Sequence, residues 1–394
     1  MSHRKHFPWQ YFRGAGWSLA SEPQHYLGCR VHRLMQTKML LARCLFSGSG
    51  CRSCSVLLMI LFLGVHVFDT SVRGMNTQPT PASEPAEGSA PMAAFARMEA
   101  GEWRLGTLHA TAWQWGPGQH SIRAHRVGTD IDGNPWRELM IYYWHPDREQ
   151  IRSLSFHPDI PGIGRGVGEG TIKFDGDRAE SALELYQPGS RRKLAARWVF
   201  DGPDRYRDIL LEDSGRGLAP LAEWEYARSV ELSSPPVPAA GQVPTPSKSI
   251  QAFVPFLGRW EGRDDGRAEL VQSNFHWMEH LDVVALSVKG ESKANKPDHL
   301  LDAYFYHHVG GDELRCVAMS SSGGVFEGRV TLSNDRDLEL DLTRYEGDAS
   351  DRRLVRFEFA PDGTLRTREW LVEGNDLTLV LDIIHRRTLE PQQD

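Results

Sequence analysis

Two short strings decide how this sequence is read: VGEGTIKF, Val167–Phe174, and VFEGRVTL, Val325–Leu332. Both run V-x-E-G into an alternating, strand-like tail, and they lie 158 positions apart. The echo extends in both directions. AFARMEAGEW (Ala94–Trp103) answers AFVPFLGRW (Ala252–Trp260), and WGPGQHSIRAHRVG (Trp115–Gly128) answers WMEHLDVVALSVKG (Trp277–Gly290). IYYWH (Ile141–His145) is matched to AYFYH (Ala303–His307), and the 22 residues from Arg191 to those from Arg352. Order is kept and the offset stays between 157 and 162. A period this long means two tandem domains rather than a solenoid of small repeats.

The segment between the copies, LSSPPVPAAGQVPTPSKS (232–249), holds five prolines and four serines and reads as a stiff exposed linker. The domain boundaries that follow are 1–91 for an N-terminal segment and leader, 92–231 for domain 1, 232–249 for the linker and 250–391 for domain 2. Each unit is long enough to enclose its own core. Within each unit the period is two. LVRFEFA (354–360) sets Val355, Phe357 and Phe359 on one face and Arg356 and Glu358 on the other. LELDLTRY (338–345) and LAARWVF (194–200) alternate likewise, and Asp-Gly pairs at 132–133, 201–202 and 362–363 mark tight turns. Helix signals are confined to short openings near Met92–Met98 and Ser249–Leu257. Many short alternating strands with tight turns predict an all-β chain of two closed antiparallel barrels or sandwiches.

Charge and cysteine are unevenly spread. Residues 1–74 carry nine Lys+Arg and two Asp+Glu, about +7, whereas the remainder carries 36 and 50, about −14. The acidic body argues against non-specific nucleic-acid binding. Four of the five cysteines fall before residue 55, and the lone Cys316 of the body excludes a disulfide framework there. The run VLLMILFLGVHVF (56–68) is short for a membrane span. Three readings of the N-terminal segment stand open: an export signal, a membrane anchor through 56–68, or a chain whose start is Met75, which would leave the protein cytoplasmic.

At this point the sequence resembles a known group. The short helix, LGRWEG, a Trp-containing hairpin strand, an aromatic strand ending at His, and the G-x-x-E-G turn (GVGEG, GVFEG) are similar to a lipocalin-like, calycin-type family of uncharacterised bacterial proteins, here as a tandem pair over roughly 92–230 and 250–391. The first copy departs from it, reading GEWRLG in place of GRWEG. The resemblance implies two antiparallel lipocalin-like β-barrels, each with a short leading helix, and brings no catalytic residues with it.

Candidate chemistry is sparse. HWMEH (His276–His280) matches a zinc-peptidase pattern, but that chemistry needs a helix and the flanks are strand-like, so no metal and no cofactor is expected. GIGRGVGEG (162–170) lacks the G-K-[ST] of a phosphate loop and reads as a mobile loop. His145 and His307 end the matched aromatic strands and read as satisfied strand-end groups or as ligand contacts. Glu169 and Glu327 repeat before Gly, either as polar groups at a barrel mouth or as acceptors in a glycine turn. Arg205 and Arg207 are matched to Arg366 and Arg368, at i and i+2 on one strand face; inside a barrel they would anchor an acid, and outside they form a solvated face. Trp115, Tyr142, Trp144 and Trp198 in the first copy, with Trp277, Tyr304 and Tyr306 in the second, either line an apolar cavity or simply fill a core. The function expected from these residues is binding of a small, partly apolar molecule in a barrel. The alternatives are an enzyme, marked by a buried pair such as His307 with Glu327, and a solid-barrel interaction module.

Overall fold

The computed structural model describes residues 87–99, 101–129, 133–158, 164–229, 246–264, 269–278, 282–291, 298–334 and 336–388. The N-terminal segment with its apolar run, Met75, most of the linker, and Glu279 and His280 of HWMEH lie outside the described residues. No helix among the described residues is long and apolar enough to cross a membrane. Pro81–Asp394 is one compact unit and contains both repeats.

The chain is all-β, with two closed ten-stranded antiparallel barrels in tandem, each an up-and-down meander in which the first strand pairs with the last. Barrel 1 comprises β1 (Glu102–Leu105), β2 (His109–Trp115), β3 (Ser121–Thr129), β4 (Pro135–His145), β5 (Gln150–His157), β6 (Gly166–Asp175), β7 (Arg178–Gln187), β8 (Ser190–Phe200), β9 (Arg205–Asp213) and β10 (Leu218–Ser229). Barrel 2 comprises β11 (Gly258–Asp264), β12 (Glu269–Met278), β13 (Val283–Glu291), β14 (His299–His308), β15 (Glu313–Ser320), β16 (Val325–Asn334), β17 (Asp337–Glu346), β18 (Ala349–Phe359), β19 (Leu365–Glu373) and β20 (Asp376–Arg387).

About eight strands suffice to pack a barrel solidly with side chains, so ten leave a wider bore. The leading helical segments occupy it. Met92, Phe95 and Met98 of Glu87–Met98 are fully buried in the barrel 1 core, and Phe95 contacts Trp113, Tyr142, Phe174 and Trp198. Ile250, Phe253 and Phe256, from the helical segment 248–256, do the same in barrel 2. The repeated Trp of GEW and GRW ties each plug to its barrel. The Trp103 indole N–H donates to Met98 O at 3.0 Å, and Trp260 donates to Phe256 O at 2.7 Å. Arg228 and Arg387 stack on these rings at 4.5 and 4.6 Å and donate back to the carbonyls of Arg97 and Pro255.

A third core joins the barrels through their outer walls. Leu139, Ile141, Tyr143, Leu154, Phe156 and Val167 of β4–β6 pack against Val283, Ala285, Tyr304, Tyr306, Val317, Met319 and Val325 of β13–β16. Val167 and Val325 belong to this third core. Gly170 and Gly328 face inward, where an added Cβ would lie 2.0 Å from the carbonyl oxygens of Ala182 and Asp341 on the neighbouring strands. Those strands can close that tightly only on glycine.

The ladder also corrects the sequence matching. Tyr143 pairs with Arg152 and Tyr306 with Arg315, so the equivalent residues are Tyr143 with Tyr306 and His145 with His308, an offset of 163. His307 is not the repeat of His145. Because side chains alternate, the one-residue slip moves every assigned residue to the opposite wall. The hairpin ladders further equate Arg207 with Arg366, and Arg205 with Thr364 rather than with an arginine. GVGEG, expected in a mobile loop, forms the start of strand β6.

The fused third core predicts that the barrels melt together. Wild-type protein should show one calorimetric transition. Val317→Asp, which buries an unpaired carboxylate between the barrels, should lower the midpoint and split it into two. A single, unshifted transition in the variant would contradict the interface.

Candidate functional site

The predicted residues do not share one cavity. Tyr142 and Trp198 are buried in the barrel 1 core, with Trp115 and Trp144 partly buried against it. Trp277 is half-buried on β12, and His276 beside it is exposed in a strand. Tyr304 and Tyr306 point out of barrel 2 into the third core. Arg205, Arg207 and Arg366 are exposed on outer faces, the latter two paired with Glu223 and Asp382, and Arg368 bonds Glu358 and lies beside the Trp370 ring. His307 is paired with Asp312 at 3.1 Å and does not meet Glu327.

What the structure does bring together is a reciprocal clasp between the barrels. The Tyr143 hydroxyl donates to Glu327 Oε1 at 2.6 Å, and the Tyr306 hydroxyl to Glu169 Oε1 at 3.2 Å. Each glutamate therefore binds the tyrosine of the other copy, and neither stands at a barrel mouth or in a turn. His145 Nε2 lies 3.7 Å from Glu327 Oε2, and His308 Nε2 lies 3.4 Å from Glu169 Oε1. Nδ1 of each ring accepts a backbone N–H, from Arg148 and from Gly311, so the neutral ring carries its proton on Nε2, facing the carboxylate. The rings rest on Tyr345 and Tyr186, again one from the opposite copy in each case. Burial opposes ionisation of Glu327, but the adjacent His145 ring and the hydrogen bond from Tyr143 outweigh it and hold the carboxyl below its usual range.

A second constellation lies inside barrel 1, and the sequence matching missed it. Arg126 Nη1 is 3.2 Å from Glu138 Oε2, and its Nη2 is 3.5 Å from Asp208 Oδ2. His157 Nδ1 is 2.8 Å from Glu138 Oε1, and its Nε2 is 2.9 Å from Ser155 Oγ. The guanidinium also lies 5.6 Å from the centre of the Tyr226 ring. Glu138 is 4 % exposed and Asp208 5 %. Several buried polar atoms here have no partner: Arg126 Nε, Asp208 Oδ1, Tyr226 Oη, Thr111 Oγ1 and His109 Nδ1. Buried polar groups are nearly always satisfied, so such orphans around one ion cluster need an explanation.

The two carboxylates are pushed in opposite directions. Burial raises the Asp208 carboxyl to about 6 against the pull of Arg126. Burial also disfavours ionised Glu138, but Arg126 and His157 overcome it and bring that group down to about 2. His109, desolvated and close to Arg126, falls to about 4 and stays neutral.

Barrel 2 has no counterpart to this cluster. The ladders equate Arg126 with Val288, Glu138 with Leu301, His109 with Val271, Asp208 with Thr367 and Tyr226 with His385. The available sequence signal was parity. Glu138 shares a strand face with Met140, Tyr142 and Trp144, and Asp208 with Tyr206, so each is a charge on an inward apolar face.

At the plugged end of barrel 1, six residues along β4 from Glu138, an open hollow of about 890 Å³ lies where Ala90, Pro91 and Ala94 of the leading helix meet β4–β10, with Trp144, Phe174 and Ala196 in its lining. Among the described residues no group of three His, Cys, Asp or Glu side chains is placed to hold a metal ion. No protein-family model matches the sequence, and no similar protein is found among characterised ones.

A pH prediction follows from Asp208. Its ordinary value is 3.8 and its folded value about 6, so between pH 4 and 6 the folded state binds the extra proton. Stability contributed by this group is therefore present below pH 4 and lost as pH rises through 6. Asp208→Asn should remove that loss, so the variant should gain on wild type across this window in urea titrations. A constant difference between the two from pH 4 to 7 would contradict the placement of the carboxyl.

Proposed function

We propose that this protein binds a small, partly apolar molecule bearing polar groups, inside barrel 1, and that barrel 2 is a filled scaffold. One observation carries the reading. Of two barrels with matching ladders, one buries the charges of Arg126, Glu138 and Asp208, and the other places Val288, Leu301 and Thr367 there. Buried ion clusters are costly and are commonly replaced by apolar residues without loss of stability, so retention in one copy favours use over structure. The aromatic wall of Trp113, Tyr142 and Trp198 suits an apolar moiety, and Asp208 Oδ1 and Tyr226 Oη suit its polar groups. The lipocalin-like resemblance belongs to this proposal as an analogy of fold.

The opposed protonation of Glu138 and Asp208 favours a second reading, acid–base catalysis on the same bound molecule. Asp208→Asn would then retain the ligand and abolish its turnover.

The test is to give barrel 1 the residues of barrel 2, as Arg126→Val, Glu138→Leu and Asp208→Thr together. The variant should fold with a melting midpoint several degrees above wild type, by about 2–4 °C per kcal/mol gained. Solvent extracts of wild-type protein, analysed by chromatography and mass spectrometry, should release a small molecule that extracts of the variant lack. A destabilised variant, or identical extracts, would mean that the cluster is structural.

A further inference from the structure

The clasp between the barrels borders a partly open pocket of about 270 Å³, lined by Tyr143, Arg152, Glu169, Tyr306, Arg315 and Glu327 among others. Its two halves are equivalent in every residue of the clasp but differ beside it, at the residue that clamps Arg315 and at Arg329, whose counterpart is Thr171. Arg315 is fully engaged: its Nη1 lies 3.1 Å from Glu169 Oε1, and its Nε and Nη2 lie 2.8 and 2.7 Å from Glu313 Oε1. Arg152 is its counterpart, each pairing with the clasp tyrosine of its own barrel. The residue equivalent to Glu313 is Gln150, opposite His145 as Glu313 is opposite His308. The carboxylate that clamps Arg315 is therefore an amide at the same place beside Arg152.

The consequence is a half-buried cation on the wall of a partly open pocket, without an anion of its own. Among the described residues Arg152 has no carboxylate within 4 Å, and its buried Nε has no hydrogen-bond partner. Glu327 lies close enough to be influenced by Arg152 but is held by Tyr143 and His145. Glu313 is taken by Arg315 and Arg329, and Glu169 by Tyr306 and Arg315. A guanidinium offers a planar fork of donors whose natural complement is a carboxylate, bound through two parallel hydrogen bonds. The apolar side of the pocket, Leu154 and Val317 with the Tyr143 and Tyr306 rings, suits a short hydrocarbon or aromatic tail. The volume equals about nine water molecules at ~30 Å³ each, room for a small acid and not for a fatty acyl chain.

We propose that the inter-barrel pocket is a binding site for a small organic carboxylate, seated on Arg152 in the position that Glu313 fills beside Arg315. The site is separate from the barrel 1 interior and does not depend on it. Because it sits on the contact that joins the barrels, occupancy stabilises their association by linkage.

The intact chain tests this with acetate, propionate and benzoate, each titrated at fixed ionic strength against sodium chloride, with inorganic phosphate alongside. Calorimetry and the melting midpoint are the readouts. At least one of the three carboxylates should bind one per chain and raise the midpoint saturably below about 50 mM, an affinity within reach of one desolvated ion pair. Gln150→Glu supplies the missing carboxylate from the protein itself. It should keep or raise the midpoint of the unliganded protein while abolishing carboxylate binding, and so separates occupancy from misfolding. Arg152→Gln should weaken binding by about tenfold or more. Arg207→Gln, an exposed arginine on an outer wall, should change nothing. No saturable effect in wild type, or full binding retained in Gln150→Glu, would overturn the proposal. Saturable phosphate binding abolished by Gln150→Glu would overturn the assignment to a carboxylate.

Discussion

A strand whose two faces are both apolar must find cover on both sides, and β4 is such a strand. Its inward residues Met140 and Tyr142 are covered by the barrel's own core, with the Phe95 plug against Tyr142. Its outward residues Leu139, Ile141 and Tyr143 would form an exposed apolar patch on a lone barrel. The second copy presents the matching face, Tyr304 and Tyr306 on β14 with Val317 and Met319 on β15. Pressing these faces together is the constraint that sets the arrangement of the two barrels. The Glu–Tyr–His clasp then fixes their register, because each glutamate finds its partners only on the other copy. The contact has the reciprocity of an isologous dimer interface, built within one chain.

With both barrels held by one interface, the interiors are free to differ, and they do. Each is closed by the same device, a helical plug tied through Trp103 or Trp260 to an arginine on the last strand. Past the plug, barrel 2 holds Val288, Leu301, Thr367 and a neutral His385 at the positions where barrel 1 turns ionic around Arg126. A duplicated fold lets one copy carry costly buried charge while the other supplies stability. This division accounts for a polar cluster with unsatisfied atoms inside an otherwise well-packed molecule.

Much of the architecture was legible because alternation is a strong signal. The split of Phe357 and Phe359 from Arg356 and Glu358 gave both strand and inward face, and the echo of VGEG in VFEG located the duplication. The roles within that echo were not legible. Gly170 and Gly328 are required by a neighbouring carbonyl across the sheet, and Glu169 and Glu327 by tyrosines on the other barrel; neither partner is near in sequence. The slip that matched His145 to His307 arose because β4 and β14 are aromatic on both faces, so hydrophobicity alone does not fix the phase of the match. That same two-faced run, LMIYYW, marked a strand buried on both sides and so carried the interface in plain view. The interior cluster was legible only through parity, as single charges at Glu138 and Asp208 on inward apolar faces. Arg205, Arg207, Arg366 and Arg368 drew attention by spacing but stand on outer walls, where spacing alone says nothing of a ligand.

The proposed ligand lies in the interior of barrel 1 and not in that of barrel 2. Crystallographic density for protein purified without harsh washing, at a resolution that separates waters from a ligand, tests it most directly. The account predicts continuous non-protein density reaching Asp208 Oδ1 and Tyr226 Oη in barrel 1, and none in the equivalent space beside Thr367 and His385. Ordered waters alone satisfying the barrel 1 orphans, or the same density in both barrels, would contradict it.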